Sequence, residues 1–227
     1  MTALTLEQDS VAAAHTSIRM RAGILELRDA MPTDVDAYVD YWHNSGDRII
    51  NFLRIDRTRL GTAEDSYRRF LRMIRVPGTE QPSIVFTITL NGEVMGYTNL
   101  NRHGPDDNYP HFHTYLHTHR SSVRNALREA PARTSAARIG AGLAAVLIGP
   151  IMRVCFDLFP VRRVVLQTRP TSRGINRALD FYMPPAETKY FEKPDGLAGP
   201  GEFHMRYVFA HDVPMMLERS RALINGE

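Results

Sequence analysis

The chain has a single cysteine, Cys155, a single tryptophan, Trp42, and only two lysines, Lys189 and Lys193. One thiol excludes an intramolecular disulfide framework. Cys155 stands between Val154 and Phe156 in an apolar run, where a buried, inert thiol is expected. Net charge is also scarce: 28 basic against 25 acidic residues leave +3, too weak a field for the dense phosphate contacts of a nucleic-acid binder. Nor is there a long apolar run. The strongest, residues 139–152, is interrupted by Gly149 and Pro150 and falls short of the about 20 residues that cross a bilayer, so it reads as a core helix. Residues 1–22 carry Glu7 and Asp9 and only a short apolar patch at 11–14. They lack the continuous core of a secretory signal and read as a flexible leader, which makes a cytoplasmic protein the expectation.

What is present suffices for one large core: 227 residues, 43% of them hydrophobic, without an internal repeat or a linker long enough to separate a pair of domains. Residues 23–28 read as a strand. Thr33 with Asp36 three residues on opens a helix whose stripe is Val35, Tyr38, Val39 and Trp42, at the i, i+3, i+4, i+7 spacing of one helical face. Thr62 with Asp65 repeats this grammar, the stripe being Tyr67, Phe70, Leu71 and Ile74 before Pro77. Residues 83–90 and 93–101 flank Asn91-Gly92, the strongest short hairpin signal. A strand at 110–118, an apolar helix from Arg138 to about Phe159, a strand at 161–168, a helix at 171–183, strands at 187–192 and 202–209, and a terminal helix at 212–224 complete the order.

That order, with Gly140 and Gly142 at the start of the central helix, resembles the GNAT superfamily of acyl-CoA-dependent N-acyltransferases over roughly residues 23–210. The resemblance implies an α+β fold with a mixed, mostly antiparallel sheet of about seven strands flanked by helices. Members carry a Gln/Arg-x-x-Gly-x-Gly/Ala turn here. Gly140-x-Gly142 matches its last three positions, whereas Ala137 stands where Gln or Arg belongs and Arg138 is one place late. Two glycines admit a close backbone approach to a diphosphate, and N–H groups opening a helix favour an anion. Arg138, Ile139, Gly140, Ala141, Gly142 and Leu143 are thus the expected diphosphate site, with acetyl-CoA or another acyl-CoA as co-substrate. A tight turn under a buried helix is the plainer reading of the two glycines alone.

The resemblance further implies that the pantetheine arm enters a gap between the strands at 110–118 and 161–168. Thr168, Ser172 and Asn176 would lie along it, Ser172 or Asn176 substituting for the family's early Asn. A tyrosine on the following helix often reprotonates the thiolate. Tyr182 fits that place loosely, against an ordinary core tyrosine. His111, His113, Tyr115, His117 and His119 alternate strictly and would share one strand face. This stripe can line an acceptor pocket, with His113 and His117 as candidate bases. It can alternatively hold a metal, though no Cys, Asp or Glu of the segment completes a ligand set and none is expected, or it can be a solvated face.

Residues 119–138 form an Arg-rich insertion with Arg120, Arg124, Arg128 and Arg133 against Glu129. It can meet the cofactor's phosphates, an anionic acceptor or an acyl carrier protein, or be a solvated loop or a dimer contact. The leading expectation is an N-acyltransferase acting on a small-molecule amine, with a single domain at 23–227. The alternatives are a carrier-protein-dependent relative and a binding module without chemistry.

Overall fold

The computed structural model describes residues 16–20, 23–44, 55–79, 81–102, 110–116, 136–159, 161–192 and 198–225. Its centre is an eight-stranded mixed sheet made of β1 (Thr16–Met20), β2 (Gly23–Asp29), β3 (Ser83–Leu90), β4 (Glu93–Arg102), β5 (Pro110–Leu116), β6 (Arg163–Thr168), β7 (Glu187–Phe191) and β8 (Gly201–Phe209), in the order β1-β2-β3-β4-β5-β6-β8-β7. Every neighbouring pair is antiparallel except β5 with β6. On one face lie α1 (Val35–Asn44) and α2 (Ala63–Met73), and on the other α3 (Ala136–Leu158), α4 (Arg173–Tyr182) and α5 (Val213–Asn225).

Strand alternation sorts the two cores. Ile84, Phe86, Ile88 and Leu100 point to the α3 face with Val164, Leu166 and Val208. Val85 and Tyr97 point to the α1 face with Tyr38, Trp42 and Phe70. On the α1 face of the other half of the sheet, Val165, Phe203 and Met205 form a third cluster. Cys155 is fully buried in the first core, and burial pushes its thiol well above the usual range, as its apolar neighbours imply.

Two local signals are realised in detail. Asn91 and Gly92 both adopt positive φ, 52° and 78°, as the tight hairpin between β3 and β4 requires. At α2 the Thr62 hydroxyl accepts from the Asp65 N–H at 3.1 Å while the Asp65 carboxylate accepts from the Thr62 N–H at 3.1 Å, a reciprocal cap.

Three expectations are corrected. Residues 16–20 are not leader: they form β1, paired along β2 with Ile18 buried, so the sheet has one strand more than expected. Five residues with one inward isoleucine are too short a pattern to register as a strand. The cap before α1 is not Thr33 with Asp36. A short 3₁₀ turn, Pro32–Asp34, intervenes and Asp34 accepts from the Met31 N–H at 2.8 Å. Asp34 is drawn there because Arg28 and Thr87 offer it further hydrogen bonds. Lastly, α3 begins at Ala136, so Gly140 and Gly142 lie inside its second turn.

The helix α3 continues through Pro150. Its neighbour Gly149 is where α3 and α5 nearly touch: a Cβ there would sit 2.6 Å from Ser220 Oγ and 2.7 Å from the Met216 carbonyl oxygen. Gly149→Ala is expected to destabilise the protein by about 2 kcal/mol, because overpacking against backbone outweighs the about 1 kcal/mol that alanine gains in a helix. Thermal unfolding of the variant checks this, and an unchanged or raised midpoint would contradict the close crossing.

Candidate active site

The sheet opens between its two parallel strands. Against β4, β5 is paired from Pro110 to Leu116, and against β8, β6 is paired from Arg163 to Thr168. Between β5 and β6 themselves the described register holds only His111 with Val165 and Phe112 with Leu166. From His113 and Gln167 onward the facing backbone edges of the two strands have no sheet partner between them among the described residues.

The topology brings helix starts to the same end. Parallel strands joined through α3 require that helix to return antiparallel to them, so its first turn, from Ala136, lies at the end where β5 and β6 diverge. The following helix α4 starts directly after β6. Its N-cap, Ser172, makes no side-chain bond to the helix. Both N-termini contribute partial positive charge where the gap is widest.

Thr168 and Asn176 are brought together, and their hydrogen-bonding groups are spent within the protein. The Thr168 hydroxyl donates to Asn176 Oδ1, and Asn176 Nδ2 donates to the Arg169 carbonyl at 2.7 Å and to the Pro170 carbonyl at 3.4 Å. Behind them lies Arg206 of β8, 0% exposed. It donates to Thr168 Oγ1 at 3.0 Å, Asn176 Oδ1 at 3.3 Å, the Met183 carbonyl at 3.1 Å and the Asp180 carboxylate. The amide of Asn176, with two donors and one carbonyl, is thereby fully used. It fastens the β6–α4 connection instead of presenting a free group to a ligand.

Arg169 braces the next loop, donating to the Gly199 and Pro200 carbonyls and stacking on Phe203 at 4.6 Å. Sequence reading overlooked both arginines. The available signal for Arg206 was a charged residue at a position that strand alternation assigns, with Val208, to the inner face.

Tyr182 ends α4 inside the α3–α4–α5 core, 1% exposed, with its hydroxyl 2.8 Å from Ser220 Oγ on α5. Burial outweighs that hydrogen bond and raises its pKa to about 12. It lies six positions along the helix from Asn176, about 9 Å at the helical rise, and its described hydroxyl partner is Ser220 of α5.

His113 pairs in register with Asn99 of β4, and His111 with Asn101. The side chains of 110–116 and of 136–145, which include His113, Arg138, Ile139, Gly140, Ala141, Gly142 and Leu143, lie outside the described residues, as does all of 117–135 with His117, Arg120, Arg124 and Arg128.

A sandwich of helices about a mixed sheet that opens between two parallel strands is the fold of a class of acyltransferases. It is the GNAT fold, and solved structures superpose on nearly the whole chain. Mycobacterium smegmatis RimJ in complex with CoA-disulfide matches with TM-score 0.65 at 15% identity, covering 92% of this chain and 96% of that one. An acetyltransferase of the GNAT family from Streptococcus pneumoniae matches with TM-score 0.51 at 11% identity, covering 82% and 99%. RimL, a ribosomal L7/L12 alpha-N-protein acetyltransferase in complex with coenzyme A, matches with TM-score 0.55 at 14% identity, covering 82% and 93%. No family model and no curated protein matches the sequence. Among the described residues no helix is long and apolar enough to cross a membrane.

Proposed function

We propose that the protein is an N-acyltransferase that moves an acyl group, acetyl foremost, from acyl-CoA to an amine of a small-molecule acceptor. The observation that carries this reading is the divergence of β5 from β6 after Phe112 and Leu166. It leaves backbone donors and acceptors facing a slot at the end where α3 and α4 begin. The amides of a pantetheine arm are complementary to such edges, and a diphosphate is complementary to a helix start. Coenzyme A in the RimJ and RimL structures supports the same donor.

In the reaction the amine nitrogen attacks the thioester carbonyl carbon, the carbon–sulfur bond breaks and the sulfur leaves as a thiolate. An unpaired N–H of β5 at the slot is suited to polarise the carbonyl oxygen. His113 and His117 are the proposed bases for the amine proton, since imidazole titrates near neutrality. Arg138 with the backbone of Ile139, Gly140, Ala141, Gly142 and Leu143 is the proposed diphosphate site. Thr168, Ser172 and Asn176 border the arm, Asn176 by shaping the loop.

Tyr182 is the proposed acid for the thiolate. Its pKa of about 12 keeps the proton in place at neutral pH. Its bond to Ser220 is the competing, purely structural role, and Tyr182→Phe separates the two. An acid predicts kcat down about a hundredfold, whereas a core residue predicts unchanged kcat with about 1 kcal/mol lost from stability.

Calorimetric titration with acetyl-CoA, with S-acetyl-N-acetylcysteamine as the non-nucleotide control, tests the reading. Nucleotide-dependent micromolar binding is the expected result, and no binding overturns the acyl-CoA donor.

A further inference from the structure

The sheet ends on one side at β7, whose described neighbour is β8. On its outer edge the N–H and C=O groups of alternate residues have no strand beside them among the described residues. From Ala186 to Tyr190 every residue is exposed. Tyr190, 68% exposed, is the most exposed large hydrophobic side chain described. An open edge of this kind is a template for a further strand.

Edge strands are commonly guarded by a lysine whose charge repels a second strand, and β7 carries Lys189. Here the guard is neutralised. Glu187 and Lys189 share one face of the strand and lie 2.9 Å apart. The Tyr207 hydroxyl of β8 joins them, donating to Glu187 and accepting from Lys189 at 3.5 Å. Tyr207 packs with Val165, Phe203 and Met205, so the charged pair stands on the α1 face. Thr188 and Tyr190 take the other face, with the Thr188 hydroxyl 2.9 Å from His204 Nδ1.

This pattern is complementary to itself. Two copies related by a two-fold axis normal to the sheet present β7 antiparallel to β7. With the axis through Thr188, each Glu187 falls opposite the second copy's Lys189 on the α1 face, giving two cross-strand ion pairs of the kind that stabilise antiparallel neighbours. On the other face Tyr190 falls opposite Ala186, a small exposed side chain that leaves space for the ring. An axis through Glu187 or through Lys189 sets like charges opposite each other instead. Pro184 and Pro185 lack N–H groups and end the pairing beyond Ala186.

We infer that β7 is a contact between two copies of this chain: a second copy adds its own β7 antiparallel across Thr188, and the sheet continues from one copy into the other. A strand pair of five residues is only about 17 Å long and buries far less than the about 1,600 Å² of a standard stable interface. The dimer is therefore a weak one, with an expected dissociation constant of about 10–100 µM. This contact stands independently of the acyltransferase reading.

Sedimentation equilibrium of the full chain between about 5 and 500 µM is expected to show a monomer–dimer equilibrium. Lys189→Glu sets acid against acid and is expected to weaken the dimer at least about tenfold. Combining it with Glu187→Lys exchanges the two charges, recreates both pairs and is expected to restore the parent affinity. Thr188→Cys reads the register directly. Opposed residues of antiparallel strands lie about 4.5–5.5 Å apart at Cα, within disulfide reach, so mild oxidation is expected to link two copies through residue 188. Tyr190→Cys, displaced about 14 Å along the strands from its own counterpart, is expected to link at least about tenfold more slowly. Cys155, the one cysteine of the parent chain, is fully buried and adds no background. All the altered side chains are exposed, so the variants keep the fold. A monomer at every concentration overturns the inference, as does a dimer that Lys189→Glu leaves intact or that the double exchange fails to restore. Equal linking through residues 188 and 190 overturns it too.

Discussion

Asp34→Ala is expected to cost about 3–5 kcal/mol of folding stability, the range for breaking a buried ion pair by removing one partner. At about 2–4 °C per kcal/mol for a chain of this size, the melting midpoint should fall by roughly 10 °C. Asp34 is buried beneath α1. Its carboxylate receives both Arg28 guanidinium nitrogens, at 2.7 and 2.9 Å, the Met31 N–H at 2.8 Å and the Thr87 hydroxyl at 2.7 Å. Tyr38 of α1 donates to the Thr87 oxygen in turn. Alanine would strip all of these at once and leave Arg28 facing a void.

The same group sets a pH dependence. Burial alone would raise the Asp34 pKa, but the Arg28, Met31 and Thr87 hydrogen bonds and the Arg28 charge together hold it below the ordinary 3.8. A depressed folded pKa means stability that is fully present above pH 3.8 and is lost as the pH falls through the folded value. The stability gap between the parent and Asp34→Asn is therefore expected to be constant from neutrality to about pH 5 and to narrow below pH 4. Urea unfolding across that range measures it. A gap that persists undiminished well below pH 3 would show that charge is not what Asp34 contributes.

Arg206→Met is the second large effect, about 2–3 kcal/mol, from leaving Asn176 Oδ1 and the Met183 carbonyl short of a donor in a dry environment. The partner carboxylate of Asp180 is half exposed and rehydrates, which keeps the loss below that at Asp34. Arg206 reaches no reacting atom. It positions the β6–α4 connection through Thr168 and Asn176, so the kinetic signature expected is a raised KM for acetyl-CoA with kcat little changed. Arg206→Lys retains the charge but not the fork that spans four partners, and should restore only a fraction of both losses. Equal falls in kcat for both variants, with KM unmoved, would contradict a positioning role.

How far the sequence reaches is seen in particular residues. The hairpin at Asn91-Gly92, the Thr62–Asp65 cap and the stripe of α1 were legible because each depends on neighbours within a few positions, where backbone geometry and periodicity act; of the stripe expected for α2, Tyr67 and Phe70 face the core, but Leu71 is exposed and Ile74 lies past the helix end, where it bridges to Val85 of β3. The order of elements, and with it the resemblance to an acyltransferase fold, followed from the same local signals. Thr168 and Asn176 were singled out as bordering a cofactor arm, but their bond to each other was not legible, since it is set by Asn176 meeting a residue thirty positions away, Arg206. The gap between β5 and β6 has no sequence signature of its own. It is made by strands that lie side by side only after a long connection and a helix have been placed.

By itself the sequence determined the alternation of strands and helices, the turn types, the fate of Cys155 and the class of fold. These follow from rules that operate over one or two helical turns. The tertiary structure alone decided that the described pairing of β5 with β6 ends after Phe112 and Leu166, that Arg206 stands buried behind the β6–α4 loop, and that Tyr182 bonds Ser220. Each of these is a balance of hydrogen bonds between residues remote in the chain, and only the packed sheet and helices bring the partners together or hold them apart.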